Sequence, residues 1–168
     1  TEERITRLRF DYQNEIVDKV SYSKQVNELL DDETIDFLEK GSEYHRYLEL
    51  VDFNNIEAST RSFPDIIKLA IKELLKSEVF RSLKNPKFYK EYEFYEETEA
   101  GHFRGIIDLL IIDESQIVVI DYKLSNIDDL AYTKQLKGYF NYLRNKTDNL
   151  VRVFLYSLTH RMLKEVNL

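Results

Sequence analysis

Two aspartates and a lysine lie within one apolar stretch, residues 105–123, and their types and spacing suit a metal site. Asp108 and Asp121 each interrupt a run of apolar residues, and Lys123 follows two positions after the second acid. Acids in surroundings this apolar are costly to bury unless a cation balances them. A shared divalent metal would provide that balance. A salt bridge from Lys123 to both acids on a solvated face would also provide it.

A β-hairpin is the element that must bring these residues together. Two β-branched runs, 106–112 and 117–121, flank a polar tetrapeptide, which is the pattern of paired antiparallel strands. If the tetrapeptide forms the connection, pairing is symmetric about its centre and Asp108 lies opposite Asp121. The Cβ atoms of directly opposed residues are roughly 4.5–5.5 Å apart. Because side chains alternate along a strand, Lys123 is expected on the same face as Asp121.

A helix is expected upstream, where residues 31–53 carry apolar side chains at roughly helical spacing and acidic residues in the first turn. Gly41 and His45 are four residues apart and therefore lie on one face of that helix. A glycine one turn before a histidine leaves space for another element or a ligand to approach. A lone histidine on a helix is more often a surface or packing residue than a ligand, so spacing alone leaves both roles open.

Other elements before the hairpin follow from periodicity and capping residues. Residues 1–20 fit neither a strand nor a helix uniquely, and a serine at 21–23 is expected to cap a short helix. Residues 62–83 form the clearest amphipathic helix, with Ser62 as the cap. Residues 87–96 are expected to form a strand with aromatic residues on both sides.

After the hairpin, the pattern predicts one more helix and two more strands. Asp128 is expected to cap a helix that ends at about Asn145. Residues 151–158 are apolar and β-rich, which predicts a strand beside the hairpin at the centre of the sheet. A short edge strand is expected after Thr159. The fold class is therefore α/β, a mixed central sheet with helices on both faces and a helical N-terminal region.

Length and composition indicate one globular domain. The chain has 168 residues, of which 43% are hydrophobic and 13% aromatic. This is enough for one filled core and short of what two domains usually need. Four glycines and two prolines leave no room for a long flexible linker. We therefore expect residues 1–168 to form a single domain.

Composition also limits cofactors and partners. The absence of cysteine excludes disulfides and cysteine-ligated iron–sulfur or zinc sites. No apolar stretch reaches the length of a membrane span and no signal-peptide pattern opens the chain, so we expect a soluble, cytoplasmic protein without a membrane partner. A net charge of −7 argues against a stand-alone, general nucleic-acid binder, whose affinity comes from Lys and Arg on phosphates. The chain opens at Thr1 without an initiating methionine, so we expect it to be either processed or a piece of a longer polypeptide.

Four short motifs follow one another in an order that resembles the RecB-like branch of the PD-(D/E)XK nuclease superfamily. They are G-x-x-x-H ending at His45, G-x-x-D ending at Asp108, D-Y-K ending at Lys123, and Q-x-x-x-Y from Gln135 to Tyr139. Each motif is short, but four in this order are hard to obtain by chance, and the resemblance spans about residues 21–158. One departure is Leu124, which follows D-Y-K where the family often has threonine; it affects only local loop contacts.

The resemblance implies a PD-(D/E)XK nuclease-like fold and metal-dependent cleavage of DNA, with Asp108, Asp121 and Lys123 as the catalytic residues. It also implies a bound Mg²⁺ ion, or Mn²⁺, held by His45, Asp108, Asp121 and the backbone carbonyl of Tyr122. Hard cations favour such oxygen-rich sites, and a mixed carboxylate–imidazole set also suits Mn²⁺. Lys123 is expected to orient the attacking water or to stabilise the transition state.

Residues outside the metal site also receive expected roles from the resemblance. Gln135 and Tyr139 are expected to reach the DNA or its phosphate, whereas Tyr132, on the same helical stripe, is expected to pack on the sheet. Glu91 begins E-Y-E-F, which resembles the family's strand before the active hairpin. Because glutamates on strand surfaces are common, a catalytic role for Glu91 has little support from sequence.

By resemblance, the parent protein is a helicase–nuclease of the AddA/RecB type that processes double-strand breaks for recombination. The domain would then be its C-terminal exonuclease module, working with a helicase portion and a partner subunit. A catalytically silent domain that binds DNA or a subunit is a second interpretation, which the complete set of four motifs disfavours. A stand-alone, restriction-type endonuclease is a third, which the missing initiator methionine and the acidic charge disfavour.

Overall fold

The computed structural model of the protein describes residues 32–99, 101–128 and 130–168, with side chains described from Lys40 onward. The predictions for residues 1–31, an ambiguous segment and a serine-capped helix, lie outside the described residues. In chain order, the elements are α1 (Asp32–Glu49), α2 (Ile56–Thr60), α3 (Asp65–Leu75), α4 (Glu78–Arg81), β1 (Lys87–Thr98), β2 (Gly101–Ile112), β3 (Gln116–Lys123), α5 (Ala131–Arg144), β4 (Leu150–Ser157) and β5 (Met162–Val166).

The strands form one five-stranded mixed sheet in the order β1-β2-β3-β4-β5. Neighbouring strands are antiparallel except for β3 and β4, which are parallel. A parallel pair needs a crossover connection, and α5 supplies it. The predicted α/β class is confirmed, with β4 beside the hairpin and β5 at the sheet edge.

The predicted hairpin is β2 and β3, and its register is confirmed. Ile112 pairs with Ile117, as symmetric pairing about the turn requires. The connection is tighter than predicted, because the backbone N–H of Asp113 donates to the carbonyl of Gln116 at 3.0 Å and leaves Glu114-Ser115 at the tip. Both strands are also longer than predicted. In particular, β2 begins at Gly101, and β2 forms a second hairpin with β1.

Helices cover both faces of the central strands. On one face, the apolar stripe of α3 packs with alternate residues of β2 and β3 (Ile67, Ala70, Ile71, Leu74, Leu109, Ile111, Val118, Ile120). On the other face, α5 packs against the intervening residues of the same strands (Leu136, Tyr139, Tyr142, Leu143, Leu110, Ile112, Ile117, Val119). Strands buried on both faces are apolar along their whole length, which is why β2 and β3 read as continuous hydrophobic runs.

The alternation of side chains along β2 breaks at Asp108. Ile107 packs on the α5 side of the sheet, whereas Leu109 packs on the α3 side. In a regular strand, these two residues would share a face. The neighbouring strand β1 is irregular at the matching position, because Glu91 has φ of 49°, a left-handed conformation that is uncommon for residues other than glycine. The irregularity therefore spans both strands at Asp108 and Glu91.

The prediction of one continuous helix over residues 62–83 with a Ser62 cap is wrong. The segment forms two helices, and α3 begins after Pro64, which occupies the N-cap position without a side-chain hydrogen bond. Ser77 interrupts the run and caps α4, its hydroxyl accepting from the Phe80 N–H at 3.5 Å. The serine's capping preference explains the break.

The prediction that Asp128 caps the helix after the hairpin is also wrong. The helix α5 begins at Ala131, with Leu130 in the N-cap position. The Asp128 carboxylate instead accepts from Lys164 Nζ on β5 at 3.0 Å. This ion pair connects the loop after β3 to the sheet edge. Among the described residues, no helix combines the length and apolar character needed to span a membrane.

Candidate active site

The helix α1 places His45 against the hairpin. His45 Nε2 donates to the carbonyl oxygen of Tyr122 at 3.0 Å. Because a carbonyl oxygen only accepts, Nε2 carries the proton in this contact. His45 Nδ1 lies 3.7 Å from Asp108 Oδ1. The helix α1 and the β2–β3 hairpin are therefore in contact, through His45 on the helix and Asp108 and Tyr122 on the hairpin.

Gly41 lies one turn before His45, against the loop that follows β3. A Cβ atom at Gly41 would be 3.9 Å from Leu124 Cβ, which is an ordinary van der Waals contact. Another element does approach the helix at this glycine, as predicted. The space does not require glycine, however, because an alanine would fit.

Asp108 is buried and holds the backbone of the facing strand. Its Oδ2 accepts from the Tyr122 N–H at 2.8 Å. Regular pairing between β2 and β3 extends from the turn as far as Leu109 and Ile120. Beyond the end of the backbone ladder, the Asp108 side chain therefore bonds the backbone of β3 in place of a backbone group. The N–H of Tyr122 is bonded by Asp108, and its carbonyl is bonded by His45.

Asp121 and Lys123 form an ion pair beside Asp108. Lys123 Nζ lies 2.8 Å from Asp121 Oδ2, and the Asp121 carboxyl is only 4% exposed. Burial, and to a lesser extent the neighbouring Asp108 carboxyl, raise the pKa of Asp121 to about 7 against the opposing effect of Lys123. The two acids and the lysine thus lie close enough to interact, and the charged form of Asp121 needs an additional cation.

The helix α5 contacts the same lysine from the other side. Lys123 Nζ donates to Gln135 Oε1 at 3.3 Å and lies 4.2 Å from the centre of the Tyr132 ring. Gln135 Nε2 donates to the Tyr139 hydroxyl at 2.8 Å, and that hydroxyl donates to the Ile106 carbonyl at 2.8 Å. Gln135, which is exposed, and Tyr139, which is buried, are therefore both linked to Lys123 by hydrogen bonds. Their contact with DNA stays a prediction.

Three side chains from different elements are grouped as metal ligands would be. His45, Glu91 and Asp108 each offer one ligand atom, and these atoms all lie within 4.8 Å of one another. Ligand atoms around an ion such as Mg²⁺, at about 2.1 Å from it, are separated by roughly 3–4 Å. The donor set of two carboxylates and an imidazole fits Mg²⁺ or Mn²⁺ after small side-chain adjustments.

Glu91 is the residue to which sequence reasoning gave too little weight. The β1–β2 hairpin pairs Thr98 with Gly101, and counting back from this turn places Glu91 opposite Asp108. Residues 101–105 contain glycines and charged residues, so the sequence did not predict that β2 extends through them. Recognising this second hairpin would have revealed the position of Glu91.

Carboxylates, an imidazole and a lysine lie together where the regular pairing between β2 and β3 ends. On a mixed α/β sheet, this combination defines a candidate metal-dependent hydrolytic site. The sequence matches the family model of the PD-(D/E)XK nuclease superfamily over residues 19–167, and the chain therefore belongs to that superfamily. Comparison with curated proteins gives no significant match.

Proposed function

We propose that this domain hydrolyses DNA phosphodiester bonds with a divalent metal ion, Mg²⁺ or Mn²⁺. Membership of the nuclease superfamily supports this class of reaction. The observation that carries the proposal is the meeting of His45, Glu91 and Asp108 beside the Asp121–Lys123 pair. These residues come from four separate elements, α1, β1, β2 and β3, which a simple surface salt bridge would not require.

Each side chain has a distinct task in the proposed reaction. His45, Glu91 and Asp108 would hold the ion, with Asp121 and the Tyr122 carbonyl next to them. A bound divalent ion supplies positive charge for the phosphate and lowers the pKa of a coordinated water. Because Nε2 of His45 donates to Tyr122, Nδ1, on the side of Asp108, is the ring nitrogen that would offer its lone pair to the ion.

Lys123 is suited to act on the attacking water or on the phosphate. Its ammonium group is mostly buried and lies against Asp121, at 2.8 Å. A fixed cation in such a site stabilises negative charge that develops in the transition state. The same ammonium group is able to orient a water by hydrogen bonding.

The finer assignment we propose is the exonuclease module of an AddA/RecB-type helicase–nuclease in double-strand break processing in the cytoplasm. The four ordered motifs support it. The net charge of −7 also supports it, because a domain with so little basic surface needs another part of the protein to deliver DNA. A helicase portion and a partner subunit would provide that delivery.

Cleavage assays with linear and covalently closed circular DNA test the proposal and separate its alternatives. The purified domain, with Mn²⁺ or Mg²⁺, should degrade linear DNA and leave closed circles intact. Cleavage of closed circles would favour the restriction-type endonuclease. A folded domain that cleaves neither substrate would favour the catalytically silent domain. Addition of EDTA and the Lys123→Ala variant serve as controls: EDTA should abolish cleavage, and Lys123→Ala should reduce it strongly to a small residual rate.

A further inference from the structure

We propose that Gln135 and Tyr139 are positioning residues that hold the Lys123 ammonium in place. They form a continuous hydrogen-bond chain from the backbone of β2 to this lysine, which we call the lysine relay: Ile106 carbonyl, Tyr139 hydroxyl, Gln135 amide and Lys123 Nζ. The inference rests on the proposed function, because a fixed lysine matters for cleavage only if Lys123 takes part in it.

The direction of every hydrogen bond in the lysine relay is set by its two ends. The Ile106 carbonyl only accepts, so the Tyr139 hydroxyl donates to it at 2.8 Å and uses a lone pair to accept from Gln135. The Gln135 amide must then turn its nitrogen to Tyr139 and its oxygen to Lys123. A reversed amide would present N–H groups to an ammonium that has only N–H groups, and two bonds would be lost.

The tyrosine that anchors the relay has little freedom to move. Tyr139 is 2% exposed, and its ring meets Phe94 edge-on at 5.8 Å between centroids. A Cβ atom at Gly105 would lie 2.7 Å from the Tyr139 ring and 2.5 Å from Phe94. Glycine is therefore required at this position for Tyr139 to lie against β2. The relay is anchored on the strand that carries Asp108, two residues beyond Ile106.

Lys123 is a side chain that needs such support. A lysine has four rotatable carbon bonds and a compact charge, so one ion pair leaves its ammonium several accessible positions. Asp121 contacts the ammonium from its own strand at 2.8 Å. Gln135 and the Tyr132 ring contact it from α5. Contacts from two elements hold the ammonium group in one position. Catalysis requires such a group to be placed to within a fraction of an ångström.

The same geometry argues against direct DNA contact as the main role of these residues. Each end of the Gln135 amide already bonds a protein group, although the residue itself is exposed, and the Tyr139 side chain is buried. Contact with DNA through the Tyr139 hydroxyl would require the relay to break, whereas Gln135 keeps one N–H and one oxygen lone pair outside it. The two roles therefore predict different kinetic changes, because loss of position lowers kcat while loss of a substrate contact raises KM.

Two variants that interrupt the relay distinguish these roles. Gln135→Met and Tyr139→Phe keep side-chain size and remove the hydrogen bonds. Each should lower kcat for DNA cleavage by about 10-fold and leave KM nearly unchanged, as for residues that orient a catalytic group. Tyr142→Phe is the matched control: Tyr142 is equally buried on the same helix and stacks on Phe94, and none of the three hydrogen bonds of the relay includes it. Its kcat should equal that of the wild type.

Combination with Lys123→Ala tests whether the relay acts through the lysine. Residual cleavage by Lys123→Ala should not fall further when Gln135→Met is added, because coupled residues are not additive. A further loss equal to that in the wild-type background would overturn the proposal. An increase in KM with unchanged kcat would also overturn it, in favour of direct DNA contact.

A measurement without DNA separates failure of this inference from failure of the proposed function. The melting temperatures of the metal-free wild type, Lys123→Ala, Gln135→Met and the double variant form a cycle. The loss in the double variant should be smaller than the sum of the single losses, whether or not the domain cleaves DNA. Additive losses would show that the two residues are not coupled and would overturn the relay itself.

Discussion

Replacing Asp121 with asparagine should make the metal-free protein more stable at alkaline pH. Burial and the neighbouring Asp108 raise the pKa of Asp121 from 3.8 to about 7, against the opposing effect of Lys123. Asparagine keeps the shape of the side chain and carries no titratable proton. The effect on the free energy of unfolding therefore depends on pH in a way that the raised pKa defines.

The sign follows from the protons bound in each state. Below about pH 4, Asp121 is protonated in both the folded and the unfolded chain and contributes nothing. Between about pH 4 and 7, the folded state holds a proton that the unfolded chain has released, so stability falls as pH rises. Above about pH 7, Asp121 is ionised in both states, and its effect on the free energy of unfolding no longer changes with pH. A pKa difference of about 3 corresponds to about 4 kcal/mol.

Urea denaturation of both proteins in EDTA, followed by circular dichroism across this pH range, measures the difference. The free energies of unfolding should nearly coincide at acidic pH, and Asp121→Asn should be more stable by up to about 4 kcal/mol above pH 8. Titrating groups that do not interact with Asp121 are common to both proteins and cancel in the difference, so the difference reports on Asp121 together with its coupled neighbours Asp108 and Lys123. A difference that does not change with pH would refute the account of Asp121 as a buried acid that lacks sufficient counter-charge.

The remaining predictions concern metal binding and packing. Saturating Mn²⁺ should stabilise the wild type by about 2.7 kcal/mol at a hundredfold excess over Kd, and His45→Ala should reduce this gain in a thermal melt; an equal gain would exclude the histidine as a ligand. Glu91→Gln should weaken Mn²⁺ binding in calorimetry, whereas Glu93→Gln on the same strand should not, and equal affinities would remove Glu91 from the metal group. Gly105→Ala should destabilise by about 1–3 kcal/mol in urea because its Cβ overlaps the Phe94 ring. Gly41→Ala, which meets only ordinary contact, should not destabilise, and equal losses would contradict the packing account.

The hairpin could be predicted because its pattern is local. Two β-branched runs and a polar turn define both strands and their register, and Ile112 does pair with Ile117. The D-Y-K and G-x-x-D motifs lie on these strands, so their approach follows from the register. His45 is different, because only the family resemblance connected it with the hairpin across 77 residues to Tyr122.

The irregularity at Asp108 and Glu91 could not be predicted, because it depends on two strands together. The positive φ of Glu91 has no signature in a residue type that rarely adopts it. The shift of packing from one face to the other between Ile107 and Leu109 contradicts the simple alternation on which strand reasoning relies. Glu91, a member of the candidate metal group, lies at this irregularity, which explains why sequence reasoning gave it little weight.

The lysine relay was likewise hidden from sequence reasoning. The spacing of Gln135 and Tyr139 predicted one helical stripe correctly, but a stripe does not show whether its side chains point to solvent or to the sheet. The packing of Tyr139 depends on Gly105, which lies 34 positions earlier in the chain. Long-range packing of this kind determines which polar atoms meet.

Metal-dependent cleavage of linear DNA by wild type and Asp121→Asn at pH 8 tests whether the group formed by Asp108, Asp121 and Lys123 is the active site. Asp121→Asn is expected to be folded at this pH, so a loss of activity reports on the chemistry of the site. The account predicts cleavage by the wild type with Mg²⁺ or Mn²⁺, none with EDTA, and none by the folded variant under any of these conditions. Cleavage by Asp121→Asn at the wild-type rate would contradict it and place the active site elsewhere.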